Sequence, residues 1–147
     1  MSLFRSLQIS ASGLTAERVR LDVIANNLAN VNTTRTAAGG PYRRKIAVLE
    51  ERPVAFADLL GGQSKPAIGR GGVRVVGIVE DTAPAQRVYN PGHPDADADG
   101  YVQMPNVNVV TEMVDMITAT RAYEANVTAM NAAKQMALRT LDIGRNA

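Results

Sequence analysis

The chain has no cysteine and no tryptophan, a single histidine, and only two Phe and four Tyr among its 147 residues. Without cysteine there is no disulfide framework, no thiolate nucleophile and no zinc-thiolate site. With so few aromatics, the 46% hydrophobic content rests mostly on Ala, Val, Leu, Ile and Met. Such side chains suit helix seams better than deep ligand pockets. No apolar run approaches the roughly 20 residues of a membrane-spanning helix. The start, Met1 to Gln8 (MSLFRSLQ), lacks the basic region, unbroken apolar stretch and small-residue cleavage site of a secretory signal. The net charge of +2 comes from 16 basic and 14 acidic residues mixed along the chain, which leaves no electropositive footprint for nucleic acid. By composition alone the chain reads as a soluble, cytoplasmic protein with one modest core.

What is present falls into three parts. Residues 1–34 read as a helical region, residues 35–105 as a β-rich middle with a flexible loop at 61–72 (GGQSKPAIGRGG), and residues 106–147 as a C-terminal helix. In the first part Leu7, Leu14, Leu21 and Leu28 recur every seven residues, while Leu3, Ile24 and Val31 take the complementary heptad position. That is the pattern of a helix seam, interrupted by Ser10 and Glu17. Gly13 sits inside it at a cost of about 1 kcal/mol relative to Ala, which predicts a kink or break there. In the last part Met113, Met116, Thr120, Tyr123, Val127, Met130, Lys134, Ala137 and Leu141 alternate three- and four-residue steps. Asn108 reads as its N-cap, Glu112 as a favourable first-turn carboxylate, and Gly144 as a left-handed stop. Between the helices, Tyr42–Glu50 and Val73–Glu80 are β-branched runs bounded by glycine and proline, which predicts strands.

The local chemical signals are few. Asp95, Asp97 and Asp99 before Gly100 resemble the opening of a calcium loop, yet the position that needs a bidentate Glu is Asn106. An acidic turn is the simpler reading. His93 stands between Gly92 and Pro94 with Asp95 two residues on, but neither a nucleophile elbow nor a metal-binding helix completes a catalytic set. Gly69-Arg70-Gly71-Gly72 lacks phosphate-loop spacing, and Arg43-Arg44-Lys45 reads as a solvated strand face. Asn26, Asn27, Asn30 and Asn32 crowd the end of the first helix, where asparagine is a poor helix former. Two readings stand side by side: Asn26 and Asn30, one turn apart, bond neighbouring chains and fix register, or the helix frays into a turn at Asn32-Thr33-Thr34. No catalytic residue, cofactor site or metal site is predicted.

An amphipathic helix alone leaves its seam in water, and each buried Leu or Ile contributes roughly 1.5–3 kcal/mol. Both seams therefore need partners. The expected fold is mainly α with a small β element: N- and C-terminal helices paired as an antiparallel coiled-coil-like hairpin around a β-rich middle insertion. The expected assembly seam is Leu7, Leu14, Leu21, Ile24, Leu28 and Val31 on the first helix and Met113, Met116, Tyr123, Val127, Met130 and Leu141 on the second.

Two stretches carry a family resemblance. Ser12-Gly13-Leu14-Thr15-Ala16-Glu17-Arg18 followed by Leu21 to Thr33 (LDVIANNLANVNT) resembles the N-terminal signature of flagellar rod and hook proteins. Asn108 to Ile117 (NVVTEMVDMI) with Arg121-Ala122-Tyr123-Glu124-Ala125-Asn126 resembles the C-terminal motif of the same family. Tyr89 to Val102 (YNPGHPDADADGYV), running into Pro105 to Val109, is similar to the proximal-rod type. The resemblance implies an axial structural protein and no enzyme. It implies self-assembly through the terminal helices to transmit torque, with copies of itself and other rod proteins as partners. It further implies passage through the flagellar type III export apparatus without signal cleavage, and a place in the periplasm-spanning rod of the basal body, which revises the cytoplasmic reading. No nucleic acid and no small-molecule substrate are expected. The alternative is a coiled-coil binding module with a calcium-dependent acidic loop.

Overall fold

The computed structural model describes residues 3–52 and 71–145. Its elements in chain order are helix α1 (Leu3–Ala29), strands β1 (Lys45–Glu51), β2 (Val73–Glu80), β3 (Gln86–Tyr89) and β4 (Tyr101–Met104), and helix α2 (Val109–Arg145). Two long terminal helices thus enclose, in sequence, a small β element of two two-stranded sheets, β1 with β2 and β3 with β4. The expected loop at 61–72 lies outside the described residues except for Gly71 and Gly72. Among the described residues no helix is long and apolar enough to cross a membrane.

Chain contacts define two compact units, one from residues 1–19, 49–76 and 119–147, the other from residues 20–48 and 77–118. In the first, the buried side chains are small: Ala16 from α1, and Ala119 and Ala133 from α2. α1 runs through Gly13 without a break. A Cβ at Gly13 would lie 2.9 Å from Asn126 Oδ1, so the missing side chain is what lets α2 come close, and that packing offsets the helix-propensity cost. Ser12 Oγ donates to the Ile9 carbonyl at 2.7 Å and accepts the Val73 amide at 3.1 Å, which ties the start of β2 to α1.

In the second unit the apolar core is Val23, Ile24, Val102 and Val107. β3 and β4 pair antiparallel, with Val88 opposite Val102 and Tyr89 opposite Tyr101. Neither strand is predicted, because each is only four residues long and carries no sustained alternation. β1 begins at Lys45, later than the predicted Tyr42, since the Arg44 amide donates to Asn106 Oδ1 at 2.8 Å. At the start of α2, Asn108 Oδ1 accepts the amides of Val110 and Thr111 at 3.0 and 3.2 Å, the N-cap that the sequence predicts. Gly144 is no left-handed stop: it is helical, α2 continuing to Arg145, and it is absent from the glycines of positive φ.

Candidate functional site

Among the described residues, the most chemically committed place is a buried polar cluster in the second unit. Asn27 and Glu112 are 1% and 0% exposed. Asn27 Nδ2 donates to the Lys45 carbonyl at 2.8 Å and to Glu112 Oε2 at 3.0 Å. Its Oδ1 accepts the Tyr42 hydroxyl at 3.0 Å and the Lys45 amide at 2.9 Å. Two donors and two acceptors exhaust the capacity of the amide. Arg44 Nε donates to Glu112 Oε1 at 2.5 Å, and Arg44 Nη2 reaches Asp115 Oδ2 at 3.3 Å. Arg20 of α1 stands 3.9 Å from the other oxygen of Asp115. Burial raises the Tyr42 pKa, with the negative charges of Glu112 and Glu80 adding to the effect. The neutral phenol is the form that serves Asn27.

Arg44 is therefore no solvated strand residue, as the run Arg43-Arg44-Lys45 suggests, because the carboxylates that claim it are more than sixty residues away in sequence. The asparagines also sort differently. Asn26 and Asn30 donate to carbonyls of their own helix end, Asp22 and Asn26, at 2.8 and 2.9 Å, and the chain turns at residues 30–32. Asn27 carries the long-range bonds. Its signal lies in the spacing: Asn27 follows Ala16 and Val23 by eleven and four residues, and so falls on the face of α1 that is buried.

Of the expected seam, Ile24 is buried, while Leu7, Leu14, Leu21, Leu28, Val31, Met116, Tyr123, Val127 and Met130 are half-buried. Met113 and Leu141 are 52% and 70% exposed. The least exposed stripe of α2 is Glu112, Met116, Ala119, Tyr123, Asn126, Met130, Ala133 and Ala137. It has the expected 3.5-residue period, but at alternate positions it is displaced by one residue from the apolar series. At the displaced positions Glu112, Ala119, Asn126 and Ala133 take the inner places expected of Met113, Thr120, Val127 and Lys134. Val110, Met113, Val114 and Ile117 follow i, i+3, i+4, i+7 spacing and form an apolar stripe on α2 that is more than half exposed throughout. Such a stripe on a helix that already buries another face is the mark of a contact surface.

The acidic segment is the loop of the β3–β4 hairpin. Asp97 Oδ1 accepts the amides of Asp99 and Tyr101 at 3.1 and 2.8 Å, and Oδ2 meets Arg87 at 2.9 Å. The Tyr101 amide first, with Arg87 and the Asp99 amide, holds its carboxyl below the usual carboxylate range. Asp95 is taken by Thr34 at 2.8 Å and Arg35 at 2.7 Å. Gly100 adopts φ +80, and a Cβ there would come within 2.9 Å of the Tyr89 ring. These carboxylates hold the turn together, and no group of three potential metal ligands exists among the described residues. His93 Nδ1 accepts the Asp95 amide at 3.1 Å, a bond internal to the same turn. The calcium-module reading has nothing in this geometry to support it.

The outer apolar stripe of α2 and a hairpin loop whose carboxylates are spent on its own backbone and arginines suit a protein that works through contacts. The ends match known families. Residues 7–35 match the family described as flagella basal body rod protein, and residues 98–143 match the flagellar basal body rod FlgEFG protein C-terminal family. The chain is 49% identical over 150 residues to the flagellar basal-body rod protein FlgC of Bacillus subtilis, covering 99% of this chain and 100% of that one. It is 48% identical to that of Borreliella burgdorferi, covering 92% and 93%, and 43% identical to that of Escherichia coli O6:H1, covering 99% and 100%. The chain belongs to the flagellar basal-body rod protein FlgC family. It is a structural rod subunit of the flagellar basal body and not an enzyme.

Proposed function

We propose that the chain packs in the proximal part of the rod against copies of itself and against other rod proteins, and that it transmits torque by this packing. The observation that carries the reading is the α2 stripe Val110, Met113, Val114 and Ile117, apolar and uncovered in the single chain. Burying such side chains against a neighbour stabilises the contact by roughly 25 cal/mol per Å² removed from water. Leu7, Leu14, Leu21 and Leu28 on α1, Val31 in the turn that follows it, and Met130 and Leu141 on α2 supply further apolar surface for the same assembly seam.

Within the chain the reading includes an antiparallel, coiled-coil-like hairpin of the two helices. Support comes from two pairs, Arg20 with Asp115 and Asn27 with Glu112, in which numbers rise along α1 as they fall along α2. The three-part division at residues 34 and 105 belongs to the same proposal, with the middle facing outward to set contacts between subunits. So does passage through the flagellar type III export apparatus with the N-terminus kept. Cryo-electron microscopy of purified basal bodies tests the packing. Density for the two helices in the proximal rod, with the 110–117 stripe against a neighbour, is the expected result; a stripe facing water there overturns it. Mass spectrometry of the same preparation reads the N-terminus, expected at residue 1 or 2.

A further inference from the structure

A heptad seam has a translational ambiguity: sliding one helix by seven residues exchanges similar side chains and leaves the buried apolar area nearly unchanged. In α1 the ambiguity is pronounced, because Leu7, Leu14, Leu21 and Leu28 are identical at that interval. The leucine series by itself therefore does not define how the end of α1 aligns with the start of α2. We infer that the buried cluster of Asn27, Glu112 and Arg44 is a register pin, which selects one alignment of α1 residues 20–29 against α2 residues 109–118.

The geometry of the alternatives supports this. Sliding α1 by seven residues in one direction brings Arg20 to Glu112, where Arg44 already donates to Oε1. Two guanidinium groups then compete for one enclosed carboxylate, and the Lys45 amide and carbonyl lose the Asn27 side chain that serves both. Sliding α2 by seven residues brings the methyl group of Ala119 to Asn27 and leaves the amide without its carboxylate. Each unmet buried group disfavours the shifted state, a distinction that the leucine series does not make. Asn27 fits one position only because it satisfies a backbone segment and a carboxylate together. The pin thus acts on alignment more than on net stability, as buried polar groups do where they set coiled-coil register.

The test uses the full chain with Glu112→Leu, which puts an apolar side chain of similar reach in place of the carboxylate, and Glu112→Gln, which keeps an acceptor for Asn27. Circular dichroism reports helix content, and heteronuclear NMR reports the amides of Arg20–Ala29 and Val109–Thr118. The expected result is retained helicity in both, with the single set of amide resonances lost in the Leu variant, where several sets appear, and kept in the Gln variant. If the Leu variant unfolds, an excluded osmolyte restores the compact state and the same spectrum is read. A Leu variant with one set of resonances and wild-type contacts between residues 27 and 112 overturns the proposal. So does a Leu variant that stays unfolded in osmolyte while the Gln variant folds, since the cluster would then supply stability and not alignment.

Discussion

Replacing Asn27 with Ala removes four hydrogen bonds at once and leaves the Lys45 amide and carbonyl, the Tyr42 hydroxyl and one oxygen of Glu112 short of a partner. Unmet buried groups cost about 1–3 kcal/mol each before relaxation, so a loss of roughly 3 kcal/mol in urea unfolding is expected, against a few tenths for Asn26→Ala. Tyr42 adds a pH dependence. Its folded-state pKa is raised by burial and then by Glu112 and Glu80, so its contribution is complete below the unfolded value of about 10 and is lost as pH rises through the folded value. Absorbance titration should show a late-ionising tyrosine that disappears in Tyr42→Phe, and stability above pH 10 should fall less steeply in that variant. The sequence displays the asparagine crowd but not which member turns inward. That choice depends on Glu112, 85 residues away, and on backbone groups whose positions no local pattern reports.

At the scale of the elements, both terminal helices are legible from their 3.5-residue period, and the Asn108 cap from its position before the first apolar step. Asn108→Ala should cost about 1 kcal/mol, read as a lowered urea midpoint with unchanged slope. Gly13 is where a local rule misleads. Propensity predicts a kink or break, yet the helix is unbroken and the glycine makes room for Asn126. Gly13→Val should therefore destabilise by roughly 1–3 kcal/mol through overpacking, and Asn126→Ala in that background should recover part of it. A merely weak helix at Gly13 would show no such coupling. The face of α2 is off by one residue at alternate positions for a related reason. An apolar count ranks Met113 above Glu112, although Glu112 is the residue with buried partners. The β3–β4 hairpin escapes because four-residue strands carry too little alternation, and its loop carboxylates resemble a metal site until their amide and arginine partners are known.

For the whole molecule, the claim at stake is that the outer stripe of α2 is an assembly surface. Leu21→Asp and Met130→Asp should block rod formation, but both positions are half-buried in the single chain, so a folding defect would mimic an assembly defect. Val114 separates the two, being 57% exposed before assembly. An aspartate there should change stability by less than about 0.5 kcal/mol, whereas an unpaired carboxylate pressed into an apolar contact costs several kcal/mol. The decisive measurement is electron microscopy of basal bodies from cells whose only copy carries Val114→Asp, with export of the variant verified and its melting curve taken in isolation. The account predicts an exported, normally folded chain, basal bodies without a completed rod, and loss of motility. Normal rods built from that chain would contradict it.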